Sequence, residues 1–471
     1  MTRHEPVKAA PEGAEIERLA ETQRRFFRSG ATRDLEFRKR QLRILRDLMV
    51  TREADILEAM RLDLGRPPSE AYTSEIGVLM IEIETALKRL DRWARPERVR
   101  TPWLLFPGSS RVVPEPFGSV LVIGPWNYPL QLVLAPAVAA LAAGNCVVLK
   151  PSELAPATST LIAEMIGGAF DPNVMAVVEG GIEPTQALLK QDFDYLFFTG
   201  GTKIGKVVMG AAAEHLTPVT LELGGKNPCI VTASADIKTA AKRIAWGKFF
   251  NAGQTCIAPD YILVEKSVEA AFLDALKAAI TAFYGSDPVA SPDYARIVND
   301  RHFDRLAGYL GRGEIVAGGQ IDRAQRYIAP TVLTGVTWAD PVMADEIFGP
   351  ILPVFAYDDL DEELPALQER PKSLALYLFT TDTALEEKVL RTVSSGGAAI
   401  NDIFAQLLNL ELPFGGVGDS GMGAYHGKAG FDTFSHRRAV VRRTTWPDPS
   451  LKYPPYKTPL ALLKRLMPRI L

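Results

Sequence analysis

The chain has 471 residues, 47% of them hydrophobic and 23% charged, a composition typical of a soluble protein with two or three domains. Its net charge of −3 gives no reason to expect a nucleic-acid partner. The three cysteines are too few for a disulfide framework and indicate a reducing compartment. No CxxC motif is present and the five histidines are scattered, so we expect no metal site.

The N-terminus, MTRHEP, lacks the apolar core of a signal peptide, which predicts a cytoplasmic protein. Helical spacing runs from about residue 12 to residue 63, where Pro67 and Pro68 end it, and a second helix is predicted over 74–93. The apolar run 130–143 is too short to span a bilayer and predicts a buried helix.

Short apolar strands alternate with helices after residue 118. The predicted strands are 119–123, 146–150, 174–178 and 195–198, and the helices between them are 130–143, 156–168 and 184–190. This alternation predicts an α/β fold with a doubly wound parallel sheet, which binds ligands at the carboxyl ends of its strands. A second alternation from about 236 to 415 predicts a second α/β domain, with a boundary near Gly224.

The last twenty residues, 452–471, carry five basic residues and no acidic residue, together with several leucines. We predict a terminal helix that docks on the protein surface. Weak contact of this helix with an anionic membrane surface is an open alternative.

Several loops follow predicted strands and carry polar groups. Asn127, in GPWNYP, offers an amide donor that could stabilise an oxyanion or could cap the next helix. Lys150 and Glu153 follow another strand and could bind ribose hydroxyls or lie on a solvated loop. The turn FTGGTKIGK, at 198–206, could approach a pyrophosphate, although its spacing is not GxGxxG and a plain structural turn fits as well.

Cys256, in NAGQTC, has small and polar neighbours, whereas Cys146 and Cys229 lie in apolar segments typical of structural thiols. Glu222, in LELGGK, lies upstream beside a glycine pair. A thiol that forms a covalent adduct and a carboxylate that activates water are the parts of acyl-enzyme chemistry. A buried structural role for Cys256 is the alternative.

Four ordered segments resemble the aldehyde dehydrogenase superfamily: PWNYP at 125–129, LELGGKNP at 221–228, NAGQTCIAPDY at 251–261 and EIFGP at 346–350. Within this superfamily the chain most resembles the class 3 branch, which includes fatty and aromatic aldehyde dehydrogenases. The segments that carry this finer resemblance are LTPVT at 216–220, AWGKF at 245–249, RYIAPT at 326–331 and FSHRR at 434–438. The resemblance covers about residues 15 to 445.

The resemblance implies NAD(P)-dependent oxidation of aldehydes, medium- or long-chain aliphatic or aromatic, to carboxylic acids. Cys256 matches the family nucleophile, which forms a thiohemiacetal and then a thioester. Asn127 and the backbone N–H of Cys256 match the oxyanion donors. Glu222 matches the base that activates the hydrolytic water, and Glu346 matches a group near the nicotinamide ribose that is also a candidate base.

The same resemblance implies the cofactor contacts. Lys150 and Glu153 match contacts to the adenosine ribose, and Phe348 matches a contact on the nicotinamide side. Trp126 matches the cofactor cleft. The glycines of the turn do so as well, at Gly200, Gly201 and Gly205. A carboxylate at position 153 repels a 2′-phosphate, so NAD is the expected cofactor, with NADP as the second.

The domains implied by the resemblance are a cofactor domain, a catalytic domain and a bridging element for a homodimer, and the C-terminal tail follows them. Their predicted bounds are 1–96 with 119–222, then 223–417, then 97–118 with 418–443, and finally 444–471. The expected location is cytoplasmic, with peripheral membrane contact through the tail. Transfer of the acyl group to coenzyme A is a competing prediction, against which Glu222 counts, and a noncatalytic binding protein on this fold is another.

Overall fold

A computed structural model describes residues 13–448, 453–456 and 458–470. Parts of two predictions therefore lie outside the described residues, namely the N-terminal segment 1–12 and positions 449–452, 457 and 471 of the tail. The mixture of strands and helices in the described residues confirms the predicted α/β class.

Helices and strands alternate along most of the described chain. In chain order the helices are α1 (Gly13–Arg28), α2 (Leu35–Thr51), α3 (Glu53–Leu64), α4 (Pro68–Ala71), α5 (Val78–Trp93), α6 (Gln131–Ala143), α7 (Pro156–Ala169), α8 (Ile182–Leu189), α9 (Thr202–His215), α10 (Ile237–Phe249), α11 (Glu269–Tyr284), α12 (Asp300–Ala307), α13 (Pro341–Ala344), α14 (Leu360–Glu369), α15 (Thr383–Thr392), α16 (Ala405–Leu408), α17 (Gly427–Thr433) and α18 (Leu460–Ile470). The strands are β1 (Glu97–Val99), β2 (Gly108–Pro116), β3 (Ser119–Ile123), β4 (Cys146–Lys150), β5 (Met175–Val177), β6 (Tyr195–Thr199), β7 (Val219–Glu222), β8 (Pro228–Val231), β9 (Tyr261–Glu265), β10 (Glu314–Ala317), β11 (Ile321–Asp322), β12 (Tyr327–Ile328), β13 (Thr331–Thr334), β14 (Ile351–Tyr357), β15 (Ser373–Phe379), β16 (Ser395–Ile400), β17 (Gly421–Met422) and β18 (Ser435–Arg443).

The first sheet has the order β17-β7-β6-β3-β4-β5, and all its pairs are parallel except β17 with β7. Every residue of β3, β4 and β6 is buried, because helices cover both faces of the sheet. This burial explains why these strands appear in the sequence as continuous apolar runs. Because β3, β4, β6 and β7 run parallel, the loops that follow them lie along one edge of the sheet.

The second sheet has the order β10-β13-β14-β9-β8-β15-β16 and is parallel except where β10 meets β13. It follows directly from the first sheet, since β7 ends at Glu222 and β8 begins at Pro228. The loop between these strands, which holds Gly224 and Gly225, thus connects the two sheets.

A separate three-stranded antiparallel sheet has the order β1-β2-β18, with β18 paired along nine residues of β2. Within the described residues the outer edge of β18 has no neighbouring strand. The preceding β17 pairs with β7 of the first sheet, and α17 packs on α6. The bounds of the bridging element and of the domains therefore stay predictions.

The N-terminal helical region differs from its prediction. One helix was expected up to residue 63, and this is wrong, because Gly30 has a φ of 81° and Asp34 caps the start of α2. The side chain of Asp34 accepts hydrogen bonds from the backbone N–H groups of Glu36 and Phe37. Among the described residues no helix has the length and apolar character to cross a bilayer.

Candidate active site

The loop that carries Cys256 reverses sharply after α10. Asn251 and Ala252 have left-handed backbones with φ values of 52° and 50°, and Gly253 follows with a φ of 74°. A Cβ atom on Gly253 would lie 2.3 Å from the carbonyl oxygen of Gly349, so only glycine fits there. This turn places Cys256 at a half-buried position, unlike the fully buried Cys146 and Cys229.

Hydrogen bonds from the second sheet fix the chain around Cys256. The amide nitrogen of Asn227 donates to the carbonyl oxygens of Cys256 and Ala258, at 2.8 and 2.9 Å. The hydroxyl of Tyr377 donates to the carbonyl oxygen of Ile257 at 2.7 Å. Because three backbone carbonyls of the turn have buried donors, the thiol is held on a rigid support.

The electrostatic surroundings of Cys256 favour the neutral thiol. Burial, followed in order of size by the carboxylates of Glu346 and Glu222, raises its pKa to about 12. The backbone N–H groups of Cys256 and Ile257 act in the opposite direction. A thiol in this environment needs a base that accepts its proton when the sulfur attacks a carbonyl carbon.

Glu222 is the last residue of β7 and is only 3% exposed. Within the described structure neither carboxyl oxygen has a hydrogen-bond partner. Burial raises the pKa of this carboxyl well above its ordinary value of 4.5. A buried carboxyl without a structural partner has its oxygens available for a water molecule or a reacting group.

Glu346, in the loop between α13 and β14, reaches the glycine pair Gly224 and Gly225. Its carboxylate accepts a hydrogen bond from the Gly225 N–H, and a Cβ atom on Gly224 would lie 2.0 Å from its Oε2. Burial and the charge of Asp260 raise the pKa of Glu346 to about 8. The structure therefore brings two carboxyls, Glu222 and Glu346, close enough to act on one thiol.

Asn127 follows β3 and is 2% exposed. Its amide nitrogen donates to the carbonyl oxygen of Gln254 at 3.1 Å, two residues before Cys256. Leu130, not Asn127, is the residue at the cap position of α6, so the helix-cap alternative is wrong. One amide hydrogen is used in this bond, and the other is available near the nucleophile loop.

Lys150 and Glu153 lie beyond the end of β4. Lys150 is buried, and its ammonium donates to the Pro151 carbonyl oxygen at 2.7 Å and lies 3.5 Å from the Glu153 carboxylate. Burial lowers the pKa of Lys150. A solvated position is thus wrong for Lys150, whereas the Glu153 side chain is 47% exposed.

The glycine turn after β6 leads directly into α9. Gly201 stands at the cap position, and within the described part of the chain no side chain caps the first N–H groups of that helix. A Cβ atom on Gly201 would meet no described atom within 4 Å, so the helix start is open. Uncapped N–H groups at a helix N-terminus at the edge of a parallel sheet can receive phosphate oxygens.

Aromatic rings connect the loop after β3 to the second sheet. The ring of Trp126 lies 5.3 Å from that of Phe348 and 5.1 Å from that of His302. Phe348 has a φ of 48°, and burial lowers the pKa of His302 to about 4. The arrangement forms an apolar wall beside Glu346, suited to a flat ring. The buried Lys150 and the open start of α9 extend this surface along the strand ends, so the residues present fit a dinucleotide.

Sequence reasoning missed the polar residues behind the nucleophile loop. Arg66, Asn251 and Gln254 are fully buried, and each shares a hydrogen bond with Asn127. Asn251 and Gln254 stand inside the motif that contains Cys256, and a buried amide there is a signal for a fixed loop. Arg66 is distant in sequence, and only its position before two prolines marks it.

Comparisons with known proteins agree with the resemblance. The family model described as the aldehyde dehydrogenase family matches residues 6–440. The chain is 48% identical to a Staphylococcus aureus protein named 4,4'-diaponeurosporen-aldehyde dehydrogenase, over 93% of this chain and 96% of that protein. It is 47% identical to aldehyde dehydrogenase family 3 member H1 of Arabidopsis thaliana, over 96% of this chain and 95% of that protein.

Solved structures show the same similarity. The substrate-bound state of Staphylococcus aureus AldH superposes with a TM-score of 0.94 at 47% identity, covering 96% of this chain and 99% of that chain. The indole-3-acetaldehyde dehydrogenase AldA of P. syringae, a variant in complex with NAD+ and IAA, has a TM-score of 0.85 at 30% identity, with coverages of 93% and 90%.

Proposed function

The chain belongs to the aldehyde dehydrogenase family and oxidises aldehydes to carboxylic acids with NAD(P), and on this premise we propose that Cys256 is its nucleophile. The sulfur forms a bond to the aldehyde carbon, and the carbonyl oxygen takes the electron pair. The thiol, with a pKa of about 12, loses its proton in this step. Glu346 and Glu222, the two carboxylates that act on the thiol, are the groups that can accept it.

The developing oxyanion is stabilised by Asn127 and by the backbone N–H of Cys256. The amide of Asn127 is anchored by its bond to the Gln254 carbonyl oxygen, so its second hydrogen has a fixed direction. Removal of one such donor typically slows acyl chemistry by about 10²–10³-fold. The anchor matters because the donor must be in place before the charge develops.

NAD(P), when bound, supplies the two-electron acceptor that turns the thiohemiacetal into a thioester. Lys150 and Glu153 would hold the adenosine ribose, and the turn that contains Gly200, Gly201 and Gly205 would receive the pyrophosphate. Trp126, Phe348 and the Glu346 carboxylate would line the nicotinamide end. The exposed Glu153 carboxylate disfavours a 2′-phosphate, which supports NAD as the preferred cofactor.

Glu222 activates the water that hydrolyses the thioester. Among the residues that the structure describes, none bonds its two oxygens, whereas Glu346 accepts a hydrogen bond from the Gly225 N–H. A base with a raised pKa removes a proton from water more readily, and the thiol leaves with a proton as the acid is released. This orphaned carboxyl beside Cys256 is the single observation that carries the proposed mechanism.

Substitution of the thiol tests the proposal. Cys256→Ala is expected to abolish aldehyde oxidation while circular dichroism and the melting temperature stay those of the native protein. Cys146→Ala is the matched control, because it removes another free thiol and should retain turnover. Substantial oxidation by Cys256→Ala would remove this residue from the mechanism.

We propose medium- or long-chain aliphatic or aromatic aldehydes as substrates. The S. aureus relative is named as a dehydrogenase of 4,4'-diaponeurosporen-aldehyde. An aromatic cluster adjoins the nucleophile loop, with the Trp246 ring 5.5 Å from that of Phe250 and 5.3 Å from that of Phe404. Trp246 is 40% exposed, so the cluster reaches the surface near the start of the nucleophile loop and offers an apolar entrance.

An aldehyde panel read by NADH and NADPH absorbance tests the substrate class. The expected result is a kcat/KM that rises with chain length and for aromatic aldehydes. A preference for acetaldehyde over every longer aldehyde would contradict it. Trp246→Ala should selectively weaken the long substrates, and an equal loss for acetaldehyde would exclude an entrance role.

We also propose a homodimer and a peripheral position in the cytoplasm. The open edge of β18 and the edge strand β16 are unpaired in the described chain, and such edges favour pairing with another strand. Light scattering at the mass of one chain would contradict the dimer.

In α18, Leu460 and Leu462 are exposed beside basic residues, which supports contact with anionic lipid. If deletion of residues 452–471 leaves sedimentation with anionic vesicles unchanged, the tail has no role in membrane contact.

A further inference from the structure

Arg66 is a fully buried guanidinium behind the nucleophile loop. It donates hydrogen bonds to the Glu75 carboxylate, to the backbone carbonyl oxygen of Asn127 and to the side-chain oxygen of Asn251, the last at 3.3 Å. Its Cζ atom lies over the ring of Tyr128, 4.7 Å from the centroid. Arg66 therefore touches both the loop after β3 and the loop before Cys256.

The two loops are joined by a closed set of hydrogen bonds. The side-chain amide of Asn251 donates to the carbonyl oxygens of Asn127 and Gln254, at 3.0 and 3.2 Å. The side-chain amide of Asn127 donates to the same Gln254 oxygen at 3.1 Å. Three residues thus form a ring that fixes the distance between the Asn127 amide and the residue two positions before Cys256.

We propose that Arg66 is a positioning residue that sets the Asn127 amide against the Cys256 sulfur. Arg66 contacts two members of the ring, and its charge polarises the Asn127 carbonyl that Asn251 also bonds. This inference rests on the proposed roles of Asn127 and Cys256. It adds that the oxyanion donor and the nucleophile are placed by a residue that meets neither substrate nor cofactor.

The geometry of the guanidinium explains why arginine stands at this position. One planar fork donates in different directions to Glu75, Asn127 and Asn251. A lysine ammonium retains the charge beside the buried carboxyls but is a compact point donor that cannot reproduce this planar arrangement. Arg66→Lys therefore loosens the ring without leaving the buried Glu75 carboxylate uncompensated.

Single-turnover oxidation and alkylation of Cys256 by iodoacetamide separate positioning from folding. Displacement of a reacting group by 1 Å costs about 10²-fold in rate, so Arg66→Lys should slow oxidation by roughly ten- to a hundred-fold. Alkylation at sp³ carbon forms no oxyanion and should change by less than about threefold, because the Asn127 donor is not used. Arg38→Lys is the matched control, since Arg38 is a buried arginine that binds the carbonyl oxygens of Thr32 and Ala142 at the far end of α6.

A double-mutant comparison tests whether Arg66 acts through Asn127. Arg66→Lys should slow single-turnover oxidation by less than about threefold when Asn127 is already alanine, because the donor it places is absent. The same slowing factor in both backgrounds would overturn the inference and leave the proposed function intact. If Asn127→Ala alone leaves the rate unchanged, the proposed oxyanion role of Asn127 fails instead.

A second variant covers the case in which Arg66→Lys does not fold. Asn251→Asp keeps the oxygen that Arg66 bonds and tolerates the left-handed backbone, but it removes the two hydrogen bonds that the Asn251 amide donates to the carbonyl oxygens of Asn127 and Gln254. It should reproduce slow oxidation with near-native alkylation. Equal slowing of oxidation and alkylation by Asn251→Asp would show that the ring supports the loop only as a whole, which contradicts placement of the donor.

Discussion

Replacement of Glu222 by glutamine tests the hydrolytic step. The amide has nearly the shape of the carboxyl, and both oxygens of Glu222 lack partners within the described residues, so no structural hydrogen bond is lost. A positioned general base contributes typically about 10²–10⁴-fold. Steady-state turnover of Glu222→Gln should fall by roughly that factor, while the first turnover, which ends at the thioester, should remain fast.

Stopped-flow absorbance at the nicotinamide band gives the measurement. Glu222→Gln should show a burst of NADH close to one equivalent per site, followed by a slow steady state. Intact mass spectrometry during the slow phase should find the acyl group on Cys256. An unchanged steady-state rate without a burst, or a first turnover slowed as much as the steady state, would refute the role of Glu222 in the water step.

The same variant has a stability signature with a defined sign. Burial raises the folded-state pKa of Glu222 well above 4.5. As pH rises, the carboxyl ionises in the unfolded chain before it does so in the folded protein, and the free energy of unfolding therefore falls. Each pH unit between 4.5 and the folded pKa corresponds to about 1.4 kcal/mol. Glu222→Gln removes this penalty, so its melting temperature should exceed that of the native protein increasingly as pH rises. A constant difference across pH would contradict the burial argument.

Three further substitutions have defined outcomes. Glu346→Gln removes a charge that raises the pKa of Cys256. Alkylation of Cys256 should therefore accelerate above about pH 8, where Glu346 is ionised, and stay unchanged well below that pH. Acceleration at every pH would contradict this electrostatic role of Glu346. Glu153→Gln removes the carboxylate that repels a 2′-phosphate, so the ratio of kcat/KM for NADP to that for NAD should rise several-fold, and a constant ratio would exclude Glu153 from the ribose site. Gly253→Ala places a Cβ atom 2.3 Å from a carbonyl oxygen at a φ of 74°, so the free energy of unfolding should fall by at least about 1–3 kcal/mol in urea titration. Gly210→Ala, in the open middle of α9, is the control and should add about 1 kcal/mol.

Much of the fold is present in local patterns of the sequence. The strands β3, β4 and β6 are buried on both faces, so each appears as a continuous apolar run that sequence reasoning can find. The breaks near Gly30 and Asp34 were missed, because apolar spacing continues across them while the backbone turns. Periodicity reports which side of a segment is buried, and it does not report where one helix stops and the next begins.

The candidate residues were likewise visible as motifs, since Cys256, Glu222, Asn127 and Glu346 each stand in a distinctive segment. The contacts that these residues make with one another and with the nucleophile loop were not visible in the sequence. The sequence could not decide whether Asn127 caps a helix or donates to the nucleophile loop, because both uses need the same side chain after the same strand. In the structure the Asn127 amide donates to the carbonyl oxygen of Gln254, so it bonds the nucleophile loop.

The sequence by itself determined the class of chemistry and the order of strands and helices along the chain. The tertiary structure alone decided that two carboxyls, Glu222 at the end of β7 and Glu346 in the loop before β14, raise the pKa of one thiol, and that Arg66 bonds the loop of Asn127. Burial is the physical reason. The pKa values of these groups depend on how much water the fold removes and on which charges it brings near, and both depend on contacts between residues that are far apart in the chain.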